Sequence, residues 1–135
     1  MSVGLLIITH GNIGQSLYDA AKHVMGSCPI RTQIISLHAT DDRDAVEKKV
    51  SKTLNDLDTG MGVLILTDMY GATPSNIACL NESENVKILS GLNLPMLIRV
   101  MNYPSLTMAE LATKAISGGQ EGILCCQIQK AANAS

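Results

Sequence analysis

Apolar and polar positions along this chain follow two alternating rhythms. Residues 3–9 (VGLLIIT), 32–37 (TQIISL), 62–67 (GVLILT) and 86–90 (VKILS) are short, nearly unbroken apolar runs. A strand covered on both faces has this pattern, because neither row of its side chains meets water. Between the runs, apolar residues recur every three or four positions, the spacing of one helix face. The first such segment carries Ile13, Leu17, Ala20, Ala21 and Val24, with Gly26 placed to stop it. The second is capped by Thr40 or Asp41 and buries Val46, Val50, Leu54 and Leu57. A short third helix takes Thr73 as N-cap and Pro74 as its first helical residue, ending around Leu80. A fourth starts near Pro95 and breaks at Pro104. Thr107-Met108-Ala109-Glu110 is a capping box for a last helix that carries Met108, Leu111, Ala112, Ala115 and Ile116 and stops at Gly118-Gly119. Residues 122–129 (GILCCQIQ) read as a final strand.

Strand and helix thus alternate from end to end, which predicts an α/β fold: a doubly wound, mostly parallel sheet with helices on both faces and right-handed crossovers. The 135 residues make one domain, spanning 1–130, with 131–135 as a frayed polar tail. Phenylalanine and tryptophan are absent while 46% of residues are hydrophobic, so the core must be aliphatic and methionine-filled. A net charge of −2 argues against nucleic acid and against an anionic membrane surface as partners. No stretch is long and apolar enough to span a bilayer, and no basic region opens a signal peptide, so a cytoplasmic location is expected. Cys28, Cys79, Cys125 and Cys126 form no C-x-x-C pair, which suits neither a zinc site nor a disulfide framework. They are expected to be reduced and mostly buried.

In open α/β sheets ligands gather beyond the carboxyl ends of strands, where the strand order reverses. Two strand ends here carry chemistry. The first run closes on His10 followed by Gly11, which holds an imidazole out at the rim; the third closes on Asp68. His38 also reaches that rim and is a lesser candidate, while His23 falls on a helix surface. A carboxylate at the end of an apolar strand is costly without a donor. An imidazole N–H is a natural one, and accepting from it would fix the tautomer and leave the other nitrogen as an oriented nucleophile or base. The alternative is that Asp68 caps amides in its own turn. Just beyond stands Gly71-Ala72-Thr73-Pro74-Ser75-Asn76. Gly71 lets the chain fold tightly, Thr73 offers a hydroxyl and an amide, and Pro74 presets the first helical turn. Free N–H groups at such a helix start favour an anion by about 0.3–1 kcal/mol. An imidazole facing this cradle suggests phosphate carried on histidine, with Gly71, Ala72, Thr73, Ser75 and Asn76 around the phosphoryl oxygens. The alternative is a plainly capped helix.

With "IITHG" after the first strand, "GVLILTDMYGATPSN" around the third, "VKILSGLNLPMLIRV" and the closing "GGQEGI", nearly the whole chain resembles the IIA component of the mannose-type sugar phosphotransferase system (PTS). The resemblance implies a flavodoxin-like fold, and that His10 takes a phosphoryl group from phosphohistidine on the carrier HPr and passes it to a IIB component. It implies that Asp68 orients His10, that Thr73 contacts the phosphoryl group, and that the acceptor nitrogen is Nε2. It also implies a homodimer in which the last strand pairs across the interface. On the residues alone, that strand could equally be an ordinary sheet edge needing cover. Ala72 departs from the family pattern, where many relatives have a second glycine. No metal or other cofactor is called for, because donor and acceptor are both phosphoramidates.

Two other classes compete. A strand followed by His-Gly also opens tetrapyrrole metal chelatases, for which His38 would have to be the second ligand, and histidine phosphatases, whose arginine before the histidine is Thr9 here. The chain could instead be a regulatory phosphoprotein whose phosphorylation state is the output. A related domain serves the dihydroxyacetone-kinase relay, but "DMYGATPSN" resembles the sugar branch.

Overall fold

A computed structural model describes residues 2–127. The order of elements is β1 (Gly4–His10), α1 (Ile13–Met25), β2 (Thr32–Leu37), α2 (Arg43–Leu57), β3 (Val63–Thr67), α3 (Thr73–Cys79), β4 (Val86–Ser90), α4 (Leu94–Met101) and α5 (Met108–Glu121). The strands form one parallel sheet in the order β2-β1-β3-β4. The chain runs outward from β1 to β2, then returns across β1 to build β3 and β4. The strand order therefore reverses between β1 and β3, and their carboxyl ends stand side by side.

Alternate residues of the two central strands feed two cores. On one face Leu5, Ile7, Leu64 and Leu66 pack with Ala21 of α1, Leu97 and Val100 of α4, and Leu111 and Ala115 of α5. On the other, Leu6, Ile8, Val63 and Ile65 pack with Val50, Leu54 and Leu57 of α2 and with Ile77 and Ala78 of α3. Both rows of a central strand thus meet helices, which is why the sequence there is continuously apolar. Among the described residues, no helix is long and apolar enough to cross a membrane.

Several local expectations are corrected. The inward face of α1 is turned from the anticipated stripe: Gly14 and Ala21 are buried while Ile13 and Val24 are exposed. Buried Thr9 sets this phase, because its Oγ1 accepts the Gly14 amide at 2.7 Å and draws that residue down onto β1. The N-cap of α2 is Asp42, whose carboxylate accepts from the Ala45 amide, while Asp41 accepts from the His38 amide instead. Thr73 is the first residue of α3 rather than its cap, and Ala72 holds the cap position without a side-chain bond. The capping box at Thr107 and Glu110 forms as expected, but α5 does not stop at Gly118-Gly119. Those glycines lie inside the helix because α4 crosses there; a Cβ on Gly118 would stand 2.5 Å from the Arg99 Cβ, and one on Gly119 3.0 Å from the Met96 Cε. The chain leaves α5 through a further helical turn, with the Ile123 amide on the Gln120 carbonyl. Residues 123–127 are exposed and form no strand. Residues 128 and 129 of the expected strand, and the tail at 131–135, lie outside the described residues.

The cysteines also differ from expectation. All four are free, but Cys79, Cys125 and Cys126 are exposed and Cys28 is half-buried. Cys79 falls off the buried face of α3, and Cys125 and Cys126 follow α5 into solvent.

Candidate functional site

The register of the two central strands brings the site together. Ile8 of β1 stands opposite Thr67 of β3, so the residues that follow, toward His10 and Asp68, emerge at one edge. Gly11 turns the chain with φ of +45°, and its amide donates to the Leu37 carbonyl at 2.7 Å, fixing the end of β1 against β2. Asp68 Oδ2 accepts twice from the same residue: from His10 Nδ1 at 2.8 Å and from the His10 backbone amide at 3.2 Å. Both bonds cross from one strand end to the other, and among the described residues Asp68 accepts nothing from its own turn, so the turn-cap alternative is not what the chain adopts.

The bond direction fixes the ring. A carboxylate only accepts, so Nδ1 carries a proton, and in the neutral form of such a ring the lone pair lies on Nε2. The two side chains differ in exposure: His10 is 50% exposed and Asp68 11%. The imidazole is therefore half in water while the carboxylate that holds it is sheltered. Oδ1 of Asp68 is buried and, among the described residues, has no hydrogen-bond partner.

His10 opens onto a cavity of about 300 Å³ lined also by Leu37, His38, Arg43, Thr73 and Pro74. Thr73 thus faces the same space as the imidazole, across a turn in which Gly71 adopts φ of +83°. Among the described residues, no amide–acceptor bond is made by Thr73 or Ser75, whereas the Asn76 amide is already on the Ala72 carbonyl. Asn76 spends its side chain on the Gly71 carbonyl at 3.2 Å and so braces the turn. The Ser75 hydroxyl points the other way. It is buried and bonded to Ser90 Oγ at 3.2 Å, which in turn meets Thr67 Oγ1 at 2.8 Å. This hydroxyl chain ties α3 to β3 and β4, so Ser75 can offer the cavity its amide but not its side chain.

His38 reaches the cavity as the sequence suggested, while His23 is exposed on α1. Among the described residues, no group of three or more His, Cys, Asp or Glu could hold a metal ion. Sequence reasoning missed Arg43. Arg43 opens the helix after β2, and its place at the cavity depends on how residues 38–42 fold, which periodicity does not show.

Fold and site together define a doubly wound α/β protein with an imidazole held by a carboxylate at the reversal point of its sheet. The family model for the PTS system fructose IIA component matches residues 4–116, and the chain belongs to that family of sugar phosphotransferase components. The PTS system mannose-specific EIIAB component of Escherichia coli (strain K12) is 29% identical over 143 aligned positions, which cover 99% of this chain and 43% of that protein. The chain therefore spans less than half the length of that relative. The mannose/sorbose specific IIA subunit from Enterococcus faecalis has the same fold, with a TM-score of 0.84 at 24% identity over 95% of this chain and 97% of that one. Component EIIA from Streptococcus agalactiae superposes with a TM-score of 0.78 at 26% identity, covering 91% and 96% of the two chains. Family membership sets the chelatase and phosphatase alternatives aside.

Proposed function

We propose that this chain is a cytoplasmic phosphoryl carrier that accepts phosphate from phospho-HPr on Nε2 of His10 and passes it to a IIB component. The observation that carries this reading is the 2.8 Å bond between His10 Nδ1 and Asp68, made by a histidine that lines the same cavity as Thr73. In the transfer, the Nε2 lone pair forms a bond to phosphorus while the bond from phosphorus to the donor histidine nitrogen breaks, its electron pair staying on that nitrogen. The His10 ring keeps its Nδ1 proton and becomes cationic, and the Asp68 carboxylate balances the charge. Reversal of the same step hands the phosphoryl group to IIB. The Thr73 hydroxyl and the amides of Thr73 and Ser75 are the groups available to the phosphoryl oxygens. Positioning and electrostatics supply most of such a rate enhancement, and the bond broken resembles the bond made.

The partners follow from the same reading, with weak, brief docking expected at a rim that carries exposed Met69 and Tyr70. A homodimer is part of the proposal and is supported by Ile123 and Leu124, which are 76% and 84% exposed and would gain from cover by a second copy. The test is intact mass after incubation with phosphoenolpyruvate, enzyme I and HPr. One added phosphoryl group, acid-labile and alkali-stable, is expected on wild type and none on His10→Ala. Equal labelling of the variant would refute the role of His10.

A further inference from the structure

We propose that Arg43 is a catalytic residue of this site, its guanidinium holding the oxygens of the phosphoryl group while that group sits on His10. The inference rests on the phosphoryl-carrier reading and adds to it a residue from a third part of the fold. Arg43 lines the same cavity as His10 and Thr73, so a phosphoryl group carried on His10 into that cavity would share it with Arg43. Three features favour this use. Arg43 is the first residue of α2, where the helix dipole disfavours a cation, so its charge opposes helix stability and points to a role outside the helix. The loop that carries it is fixed: the His38 amide donates to Asp41 Oδ2 at 2.8 Å, the Asp41 amide to the His38 carbonyl at 3.0 Å, and Asp42 caps α2. The side chain is only loosely engaged. Its Nε stands 3.7 Å from Glu47 Oε2, and Arg43 is 54% exposed, so the planar fork can turn toward an arriving anion.

The chemistry suits an arginine. A phosphoryl group in transfer spreads charge over three oxygens, and a guanidinium meets two of them at once, which a lysine ammonium does not match. Asp41 lines the same cavity with its Oδ2 already accepting from the His38 amide, and Arg43 is the one lysine or arginine among the described residues that line the cavity.

The test compares wild type, Arg43→Gln and Arg43→Lys with two phosphoryl donors: phospho-HPr and the small molecule phosphoramidate. Labelling of wild type on His10 establishes the carrier reading independently. Arg43→Gln is then expected to accept phosphate about tenfold to a hundredfold more slowly from both donors, with a melting temperature no lower than that of wild type, and Arg43→Lys to recover part of the loss. Wild-type rates in Arg43→Gln would overturn the proposal while leaving His10 in place. Slowing with phospho-HPr alone would also overturn it, by showing that Arg43 serves protein docking and not the phosphoryl group. A wild type that neither donor labels would bring down the carrier reading and this inference with it.

Discussion

At the scale of the residue, the account rests on one carboxylate oxygen that receives two bonds from one histidine. Orientation and charge balance both run through Asp68, so Asp68→Ala is expected to fold yet accept phosphate more slowly by about 10²–10⁴. The rate of labelling from phospho-HPr checks this, and an unchanged rate would reduce the carboxylate to a bystander. His10 and Asp68 were legible in the sequence because each is a polar residue at the abrupt end of an apolar run, and a polar side chain is not left there without a partner. For Ser75 the sequence leaves open which part of the residue could face the cavity. Its hydroxyl lies on the side of α3 that faces Ser90, which the string of letters Gly71 to Asn76 does not reveal. Arg43 escaped notice because its route to the cavity depends on how residues 38–42 fold back on themselves, a matter of local hydrogen bonds and not of periodicity.

At the scale of the element, strands were easier to read than helix faces. A strand buried on both sides announces itself with four or five apolar residues in a row. A short helix offers several overlapping stripes, and the one chosen depends on contacts from elsewhere. In α1 the deciding contact is the Thr9 hydroxyl on the Gly14 amide, which makes Gly14 the point where helix meets strand. A Cβ there would stand 2.7 Å from the Ile7 Cγ2 and 3.0 Å from the Thr9 Oγ1. Gly14→Ala is therefore expected to destabilise the protein by about 1–3 kcal/mol through overpacking, seen as a lower melting temperature or denaturant midpoint. An unchanged midpoint would mean that α1 can lift from β1 at no cost. The glycines of α5 teach the same lesson: Gly118 and Gly119 look like a stop signal in sequence but are the small residues over which α4 crosses.

At the scale of the whole molecule, the sheet order β2-β1-β3-β4 is what joins residues far apart in the chain. Strand–helix alternation foretold the doubly wound fold, and in such folds the reversal of strand order leaves a crevice between two carboxyl ends. Alternation could not say how the chain departs after α5, since an edge strand depends on a partner that local pattern does not encode. The central claim is that this architecture holds the ring by Nδ1 so that phosphorus arrives on Nε2. Nitrogen-15 labelling of the histidines, followed by NMR of the phosphorylated protein, tests it directly. The expected result is coupling between phosphorus and Nε2 of His10, with Nδ1 still carrying its proton. Phosphorus on Nδ1 of His10, or on any other residue, would contradict the account.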